Sequence, residues 1–410
     1  MKNGGREIRV MGTSEERRVR VQRYRCAGCG FYYTKRAKSW SRHTGEFGLE
    51  LTRRYIEERE SYRVLAKRLY EESGKKVSTG WLNKLVLSVG SRCQSALEMS
   101  RELKPGWKGF LCVDEKMFSV RGEQQWFYVA VDTSGDIVHC KAVEELSTTE
   151  ATKFLTEVVE EAHYNCQGVV TDLDQSLRRG VEIVFPGKPH QFCLKHGFSS
   201  IEKRIGYKPL EMHHRWNKQI MRREFRKLRD KKGVWVERSR GEFFESYDEY
   251  KKTSDRHKAL MLLREELHGI LFARTEEEAR TKLRRLVRSK RHQLFEKEKQ
   301  SAIAFLKDHW DNLMEYHQAK GLPRTNNFAE SVNKQLERRF KTIESFQSKE
   351  TAAWYINLLV SYLRQKPYTD CRGRRKQLNG KSRLEAARVR LSSKDWLKNS
   401  LKAAPKISRN

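Results

Sequence analysis

Runs of apolar residues between positions 105 and 200 predict a β-sheet. After the turn-forming pair Pro105-Gly106, the run GFLCVDE predicts a strand that ends at Asp114. The longer run QQWFYVAVDTSGDIVHCKAV predicts two strands joined by a hairpin turn that begins at Asp132. We expect these three strands to be antiparallel.

A helix and a fourth strand follow. The helix is predicted to be capped by Ser147 or Thr148, and CQGVVTD predicts a buried strand with Asp172 at its carboxyl end. This order of elements describes an α/β fold with a ribonuclease H-like core. Because the first and fourth strands are neighbours in that fold, Asp114 and Asp172 are expected to face one pair of metal ions.

Helical periodicity precedes the sheet, over residues 49–93. Gly74 is expected to stop one helix, and Ser78 or Thr79 to cap the next, GWLNKLVLSV. Helix, turn and capped helix is the layout of a helix-turn-helix, and the many Lys and Arg residues here favour DNA binding. A plain helical bundle is the alternative.

The N-terminal stretch contains a cysteine knuckle. In RRVRVQRYRCAGCG, valines alternate with polar residues and predict a strand that leads into Cys26 and Cys29. These cysteines form half of a zinc ribbon and an incomplete candidate Zn²⁺ site, because no cysteine precedes Cys26. His43 is a third ligand with unconvincing spacing, and the alternative is a remnant whose partner cysteines lay upstream of Met1.

A wholly helical insertion is predicted over residues 201–321. Thr275 is expected to cap a helix with an acidic first turn. Basic runs lie among aromatic residues such as Trp216 and Trp235, and they predict either solvated helix faces or a surface for DNA ends. We expect Trp310 to pack in the core rather than to stack on an extruded base.

A third acidic residue lies far downstream, in RTNNFAESVNKQLERRF. Asn326 or Asn327 is expected to cap a helix whose first turn holds Glu330 and can turn it back toward the sheet. Another helix is predicted after Ser348. The polar and basic stretch 364–410 is interpreted as a partly disordered extension that binds phosphates, or as a solvated one.

Charge is distributed unevenly along the 410 residues. The formal net charge is +32, but residues 108–200 contain nine Lys and Arg against fourteen Asp and Glu, a net charge of −5. A basic body around an acidic core favours an enzyme that acts on nucleic acid, because Lys and Arg bind phosphates and clustered carboxylates hold divalent metals.

The chain is long enough for two to four domains. The predicted divisions are a basic half zinc-ribbon (1–46), a helix-turn-helix (47–104), the first part of the core (105–200), the helical insertion (201–321), the C-terminal core helices with the third acid (322–366) and a basic tail (367–410). No long apolar run or signal-peptide pattern is present, so we expect an intracellular protein without a membrane partner. Eight mostly scattered cysteines fit a reducing compartment.

With these motifs in order, the sequence resembles the DDE transposases of prokaryotic insertion sequences, and more narrowly those akin to the Mutator-like superfamily. The motifs that carry the likeness are VDE with Asp114, VTDLDQSL with Asp172, HQFCLKH with Cys193 and His196, and RTNNFAESVNKQLERRFKTIESF with Glu330. The resemblance covers roughly residues 109–367. Leu173 is a departure, since many relatives have Gly after the second Asp, and the absent first zinc knuckle is another.

The resemblance implies a transposase that binds transposon ends and catalyses DNA cleavage and strand transfer. Asp114, Asp172 and Glu330 would be the catalytic and metal-binding residues, with Mg²⁺ or Mn²⁺ as the ion, because hard cations prefer carboxylate oxygens. Asp114 would bridge two ions, and the other two acids would each hold one. The implied partners are double-stranded DNA, as transposon ends and target, and further copies of the chain, in the nucleoid-associated cytoplasm of a prokaryote.

Two alternatives stay open: a structure-selective nuclease that cuts but does not join, and a domesticated DNA-binding protein with lapsed catalysis. Three other acids lie near the proposed set. Glu115 is set aside because it points to the opposite face of its strand, and Asp132 because it suits a turn. Asp174 is the third competitor.

Four more residues are candidates for structural or DNA-associated roles. Cys193 and His196 are too few ligands for zinc unless His190 and a distant partner join them, so we expect them to pack the insertion against the core. Arg324 and Asn327 are candidate phosphate contacts, and simple helix capping is the alternative for Asn327.

Overall fold

The computed structural model describes residues 2–10, 17–34, 45–74, 76–228 and 240–402. The predictions that concern His43, Trp235 and the last eight residues of the tail fall outside these ranges. Within them, the chain is a mixed α/β protein with more helix than strand. Among the described residues, no helix combines the length and the apolar character that crossing a membrane requires.

Eight strands form two sheets in the described residues. A three-stranded N-terminal sheet consists of β1 (Lys2–Val10), β2 (Arg17–Arg25) and β3 (Tyr32–Thr34), in that order. The second sheet consists of β4 (Phe110–Val120), β5 (Glu123–Asp132), β6 (Ile137–Val143), β7 (Gly168–Thr171) and β8 (His190–Phe192). Its spatial order is β6-β5-β4-β7-β8.

The α-helices of the described residues fall into three groups. Four precede the larger sheet: α1 (Gly45–Ile56), α2 (Tyr62–Ser73), α3 (Thr79–Gly90) and α4 (Ala96–Leu103). The next eight are α5 (Thr148–Glu160), α6 (Gln175–Val184), α7 (Leu194–Arg204), α8 (Tyr207–Lys227), α9 (Arg240–Leu271), α10 (Glu276–Arg288), α11 (Glu296–Asp308) and α12 (Trp310–Met314). The last four are α13 (Asn327–Ile343), α14 (Lys349–Gln365), α15 (Arg383–Ala386) and α16 (Trp396–Ser400).

Polar side chains set several helix starts where the sequence predicts them. Ser78 accepts a hydrogen bond from the Trp81 amide at the start of α3, and Ser147 and Ser348 cap α5 and α14 in the same way. Gly74 ends α2 with a left-handed backbone at φ 69°, which glycine adopts readily. The positions of these predicted helices are therefore confirmed.

Strand β4 lies at the centre of the larger sheet. It pairs in antiparallel fashion with β5 and in parallel with β7, so the predicted pairing of the first and fourth strands is confirmed. The parallel pairing ends at Cys112 opposite Val170. The prediction that the first strand stops at Asp114 is wrong, because β4 continues to Val120 as one arm of the hairpin with β5.

Each face of this sheet is covered by helices. One face packs on α5 and α6 through residues such as Val113 and Phe154. The other face packs on α13 and α14, and the same hydrophobic cluster includes residues of α1, α2 and α3 such as Leu65. The backbone of α14 comes so close to α3 that a Cβ added at Gly90 would lie 3.0 Å from the carbonyl oxygen of Trp354. The early helices and the sheet thus share one core.

Helices α7 to α12 have a hydrophobic cluster of their own. In the described part of residues 201–321 there are helices and turns but no strands, as predicted for this segment. Thr275 caps α10 by accepting from the Glu278 amide. Trp310 is buried and donates Nε1–H to Glu276 at 3.1 Å, as expected for a core residue.

The predicted loose C-terminal extension is wrong for residues 364–402. Arg364 is fully buried and donates two hydrogen bonds to the carboxylate of Asp136, at 2.9 and 2.8 Å. Leu384 and Leu397 are also fully buried. A basic composition therefore concealed a packed segment, because its few apolar residues and two arginines, Arg364 and Arg383, are directed into the body of the protein.

Candidate metal centre

Three carboxylates meet where β7 ends. One oxygen each of Asp114, Glu115 and Asp172 lies within 4.8 Å of the other two. Asp172 directly follows β7, and Asp114 lies two residues past the last β4–β7 pair. Because the two strands run parallel, their chain directions bring both acids to the same end of the sheet. The structure thus brings two of the predicted residues together.

Glu115 joins this group although the sequence argument set it aside. In the register of the hairpin it is opposite Tyr128, which packs on the α5 face, so its backbone does direct it to the other side of the sheet. Its carboxylate oxygen nevertheless lies within 4.8 Å of those of Asp114 and Asp172. Alternation along a strand was therefore an insufficient reason to exclude it.

Burial and like charge raise the pKa values of this group. Burial, followed by the charge of Asp172, raises the pKa of Asp114 to about 7. Burial and the charges of Asp172 and Asp114 raise the pKa of Glu115 to about 9. The Oε2 atom of Glu115 is buried without a hydrogen-bond partner. Asp114 and Glu115 therefore hold their protons more tightly than isolated carboxyl groups do, and a bound cation would favour their ionised forms.

Asn333, on α13, contacts Asp114, and the sequence analysis did not predict this role. Its Nδ2 donates a 2.8 Å hydrogen bond to Oδ2 of Asp114, and the residue is 4% exposed. A signal was present, because Asn333 lies three positions after Glu330 and residues at this spacing share a helix face.

The two remaining acidic competitors have structural roles. The carboxylate of Asp132 is fully buried and accepts hydrogen bonds from the amides of Gly109 and Ser134 and from the Tyr164 hydroxyl. Asp174 caps α6 by accepting from the amides that follow it. Both carboxylates therefore accept hydrogen bonds that stabilise the local fold.

Glu330 lies in the first turn of α13, as predicted, but it belongs to a different group of donors. Its carboxylate, Sγ of Cys193 and a ring nitrogen of His196 lie within 4.8 Å of one another. The side chain is 17% exposed and faces Lys195 and Lys334, with N–O distances of 3.5 and 3.8 Å.

His196 connects the two groups electrostatically. Its hydrogen bond with Cys193 raises the pKa of His196 to about 9, and the negative charges of Asp172 and Asp114 act in the same direction. Burial opposes ionisation of Cys193, but the hydrogen bonds from His196 and the Asn326 amide lower its pKa overall. The two groups thus form one continuous polar region.

The other candidates lie around this region. Arg324 is exposed, with its guanidinium 5.6 Å from the ring centre of Tyr316, and Asn327 accepts from the ammonium of Lys195. His190 is turned away, because its Nε2 is hydrogen-bonded to Thr171 at 2.9 Å. It is therefore not the additional ligand that the sequence argument considered.

Cys26 and Cys29 lie in the turn between β2 and β3, where the knuckle was expected. Hydrogen bonds from the backbone amides of Cys29 and Gly28 lower the pKa of Cys26. Among the described residues, no third His, Cys, Asp or Glu completes a group with these two. The pair supplies two of the four ligands that a structural zinc ion needs.

No protein-family model matches the chain, and no curated protein matches it with significance.

Proposed function

We propose that this chain is a Mg²⁺-dependent DDE transposase with a ribonuclease H-like core. The observation that carries the proposal is the meeting of Asp114 and Asp172 at one end of a sheet with the order β6-β5-β4-β7-β8. Strands one and four of the core supply these acids, and α13 brings Glu330 to the same region after a helical insertion. This is the arrangement that the resemblance implies.

The donor set fits a hard divalent cation. Three carboxylates lie close together, two have raised pKa values, and one buried oxygen of Glu115 has no partner. Asp114 and Asp172, with Glu330 from the adjoining group, would hold Mg²⁺ or Mn²⁺. When bound, the cations supply the positive charge that activates an attacking oxygen and stabilises a leaving one.

The surrounding residues have roles that follow from their contacts. Asn333 orients Asp114, which reduces the number of arrangements its carboxylate can adopt. Lys195 and Lys334 flank Glu330 and provide positive charge at the entrance to the site, where a DNA phosphate would approach. Arg324 is exposed beside them and is a further candidate for phosphate contact.

DNA is the proposed partner of the basic surface as a whole. The whole chain carries +32 and residues 108–200 carry −5, so the rest of the chain carries +37, and α2 and α3 expose Arg63, Lys67 and Lys84. A helix-turn-helix use of these two helices and the pairing of two DNA ends by at least two copies of the chain belong to the same proposal.

The proposal is tested by incubating the full chain with Mg²⁺ and duplex DNA that carries the sequences flanking its gene. We expect 3′-end cleavage and joining to a target plasmid, and loss of both in Asp172→Asn. The matched control is Asp255→Asn, whose side chain is 63% exposed on α9.

Other outcomes identify the alternatives. Cleavage without joining would favour a structure-selective nuclease. DNA binding without cleavage, equally tight in wild type and Asp114→Asn, would favour a DNA-binding protein with lapsed catalysis.

A further inference from the structure

Two helix starts bring three different kinds of metal-binding atom together. Cys193 directly precedes α7, His196 lies in its first turn, and Glu330 lies in the first turn of α13. We infer that Cys193, His196 and Glu330 form a site for a thiophilic divalent ion, Zn²⁺, distinct from the carboxylate group. The inference goes beyond the proposed DNA chemistry and concerns a second class of metal.

The separations are close to those that zinc requires. Ligand atoms at 2.0–2.3 Å from a tetrahedral ion lie about 3.5 Å from one another. The three donor atoms are already within 4.8 Å of one another, so each needs to move by about 1 Å or less, which small side-chain rotations provide.

The chemistry of the donors separates this site from its neighbour. Thiolate and imidazole favour Zn²⁺, whereas the all-oxygen group of Asp114, Glu115 and Asp172 favours Mg²⁺ or Mn²⁺. The Sγ atom of Cys193 is fully buried, and Nδ1 of His196 is buried without a hydrogen-bond partner. Three protein ligands leave a fourth position for water, as in zinc sites that are open on one side.

Backbone and side-chain contacts hold the donors in place. The Leu194 amide donates to the carbonyl of Arg324 at 3.0 Å, which joins the start of α7 to the segment before α13. Asn326 is fully buried, donates its side-chain amide to the carbonyl of Val113 at 2.7 Å and donates its backbone N–H to Sγ of Cys193 at 3.3 Å. An N–H donor to the sulfur is a typical outer contact of a cysteine ligand.

The shared use of Glu330 has a functional consequence, which rests on the proposed function. If Glu330 also holds Mg²⁺ during DNA cleavage, Zn²⁺ at Cys193 and His196 withdraws that carboxylate from catalysis. Micromolar Zn²⁺ is then expected to inhibit cleavage reversibly, and Cys193→Ser is expected to need at least about tenfold more Zn²⁺ for the same inhibition.

The site itself is tested without DNA or activity, by adding Co²⁺ to the full-length protein. The background is Cys26→Ser/Cys29→Ser, which removes the knuckle. We expect one equivalent of Co²⁺ to give tetrahedral visible bands and a sulfur-to-cobalt charge-transfer band, and Zn²⁺ to displace it. Cys193→Ser should abolish the charge-transfer band, Glu330→Gln should weaken binding about tenfold or more, and the control Cys371→Ser should change neither.

A background protein without the charge-transfer band, or a band that survives Cys193→Ser, would overturn the inference. If Cys193→Ser fails to fold, X-ray absorption of the zinc-loaded Cys26→Ser/Cys29→Ser protein shows whether sulfur is a zinc ligand. One sulfur with nitrogen and oxygen neighbours supports the site, and zinc without a sulfur neighbour overturns it. Because these readouts need no cleavage, an inactive enzyme that binds Co²⁺ through Cys193 would contradict the proposed function alone.

Discussion

Asn333 and Asp114, 219 residues apart in the chain, are joined by a 2.8 Å hydrogen bond from Nδ2 to Oδ2. The bond fixes α13 to β4 at the level of the carboxylate group. Helix α13 also contains Glu330. The same helix therefore orients Asp114 through Asn333 and carries Glu330. The geometry of the site therefore depends on a long-range contact rather than on either segment alone.

Removing the side-chain amide of Asn333 is expected to weaken Mg²⁺-dependent DNA cleavage. Asn333→Ala leaves Asp114 without its donor, and outer contacts of this kind typically contribute about 10- to 100-fold in metal affinity or activity. The measurement is the Mg²⁺ concentration that gives half-maximal DNA cleavage, which should rise.

The matched control is Gln335→Ala on the same helix, because Gln335 is only half-buried and bonds only to a carbonyl of its own helix in the described contacts. Equal Mg²⁺ dependence in Asn333→Ala and wild type would contradict the positioning role.

Neutralising Asp114 is expected to stabilise the metal-free protein. The pKa of Asp114 is raised from its ordinary value of 3.8 to about 7, so the folded state binds its proton more tightly than the unfolded state does. The wild-type free energy of unfolding therefore falls as pH rises from about 4 to 7, and Asp114→Asn lacks this loss.

Urea unfolding in EDTA measures the difference. Asp114→Asn should unfold with a free energy close to that of wild type at pH 4 and higher by about 4 kcal/mol at pH 8, since a shift of one pKa unit corresponds to about 1.4 kcal/mol. A variant that is less stable than wild type at pH 8 would show that Asp114 is not under electrostatic strain.

The buried ion pair of Arg364 and Asp136 should be sensitive to loss of one partner. Arg364→Met removes three hydrogen bonds, two of them to Asp136, and leaves the Asp136 carboxylate buried with Trp107 as its remaining side-chain donor among the described residues. The expected loss is about 3–5 kcal/mol in free energy of unfolding. Arg390→Met, at an exposed position, should change it by less than about 0.5 kcal/mol.

Two glycines of α3 should respond in opposite directions to alanine. A Cβ at Gly90 would lie 3.0 Å from the Trp354 carbonyl oxygen, whereas a Cβ at Gly80 meets nothing within 4 Å. Gly90→Ala should therefore destabilise the protein by about 1 kcal/mol or more, and Gly80→Ala should stabilise it by about 0.5 kcal/mol. Similar thermal shifts in both variants would contradict close packing of α3 on α14.

Local signals predicted much of this fold. Ser78, Ser147 and Ser348 cap the helices they were expected to cap, because capping depends on a few adjacent residues. The pairing of β4 with β7 was also predicted, since the order of strands and helix matched a fold in which the first and fourth strands are neighbours.

Features that depend on distant contacts were not predictable in the same way. The carboxylate of Glu115 joins the acidic group through the tertiary fold, and Glu330 faces Cys193 because the chain returns to Cys193 at Asn326, 133 residues later. Arg364 was read as part of a solvated tail because its partner, Asp136, is 228 residues away. No local sequence pattern predicts these long-range contacts.

The proposal that Asp172 holds a metal ion needed for DNA cleavage can be tested directly. It is tested most directly by replacing that oxygen ligand with sulfur in Asp172→Cys and measuring cleavage in Mg²⁺ and in Mn²⁺. Because thiolate is a poor ligand for Mg²⁺ and a better one for Mn²⁺, we predict cleavage lost in Mg²⁺ and partly restored in Mn²⁺, with Asp255→Cys active in both. Wild-type cleavage by Asp172→Cys in Mg²⁺ would contradict the assignment.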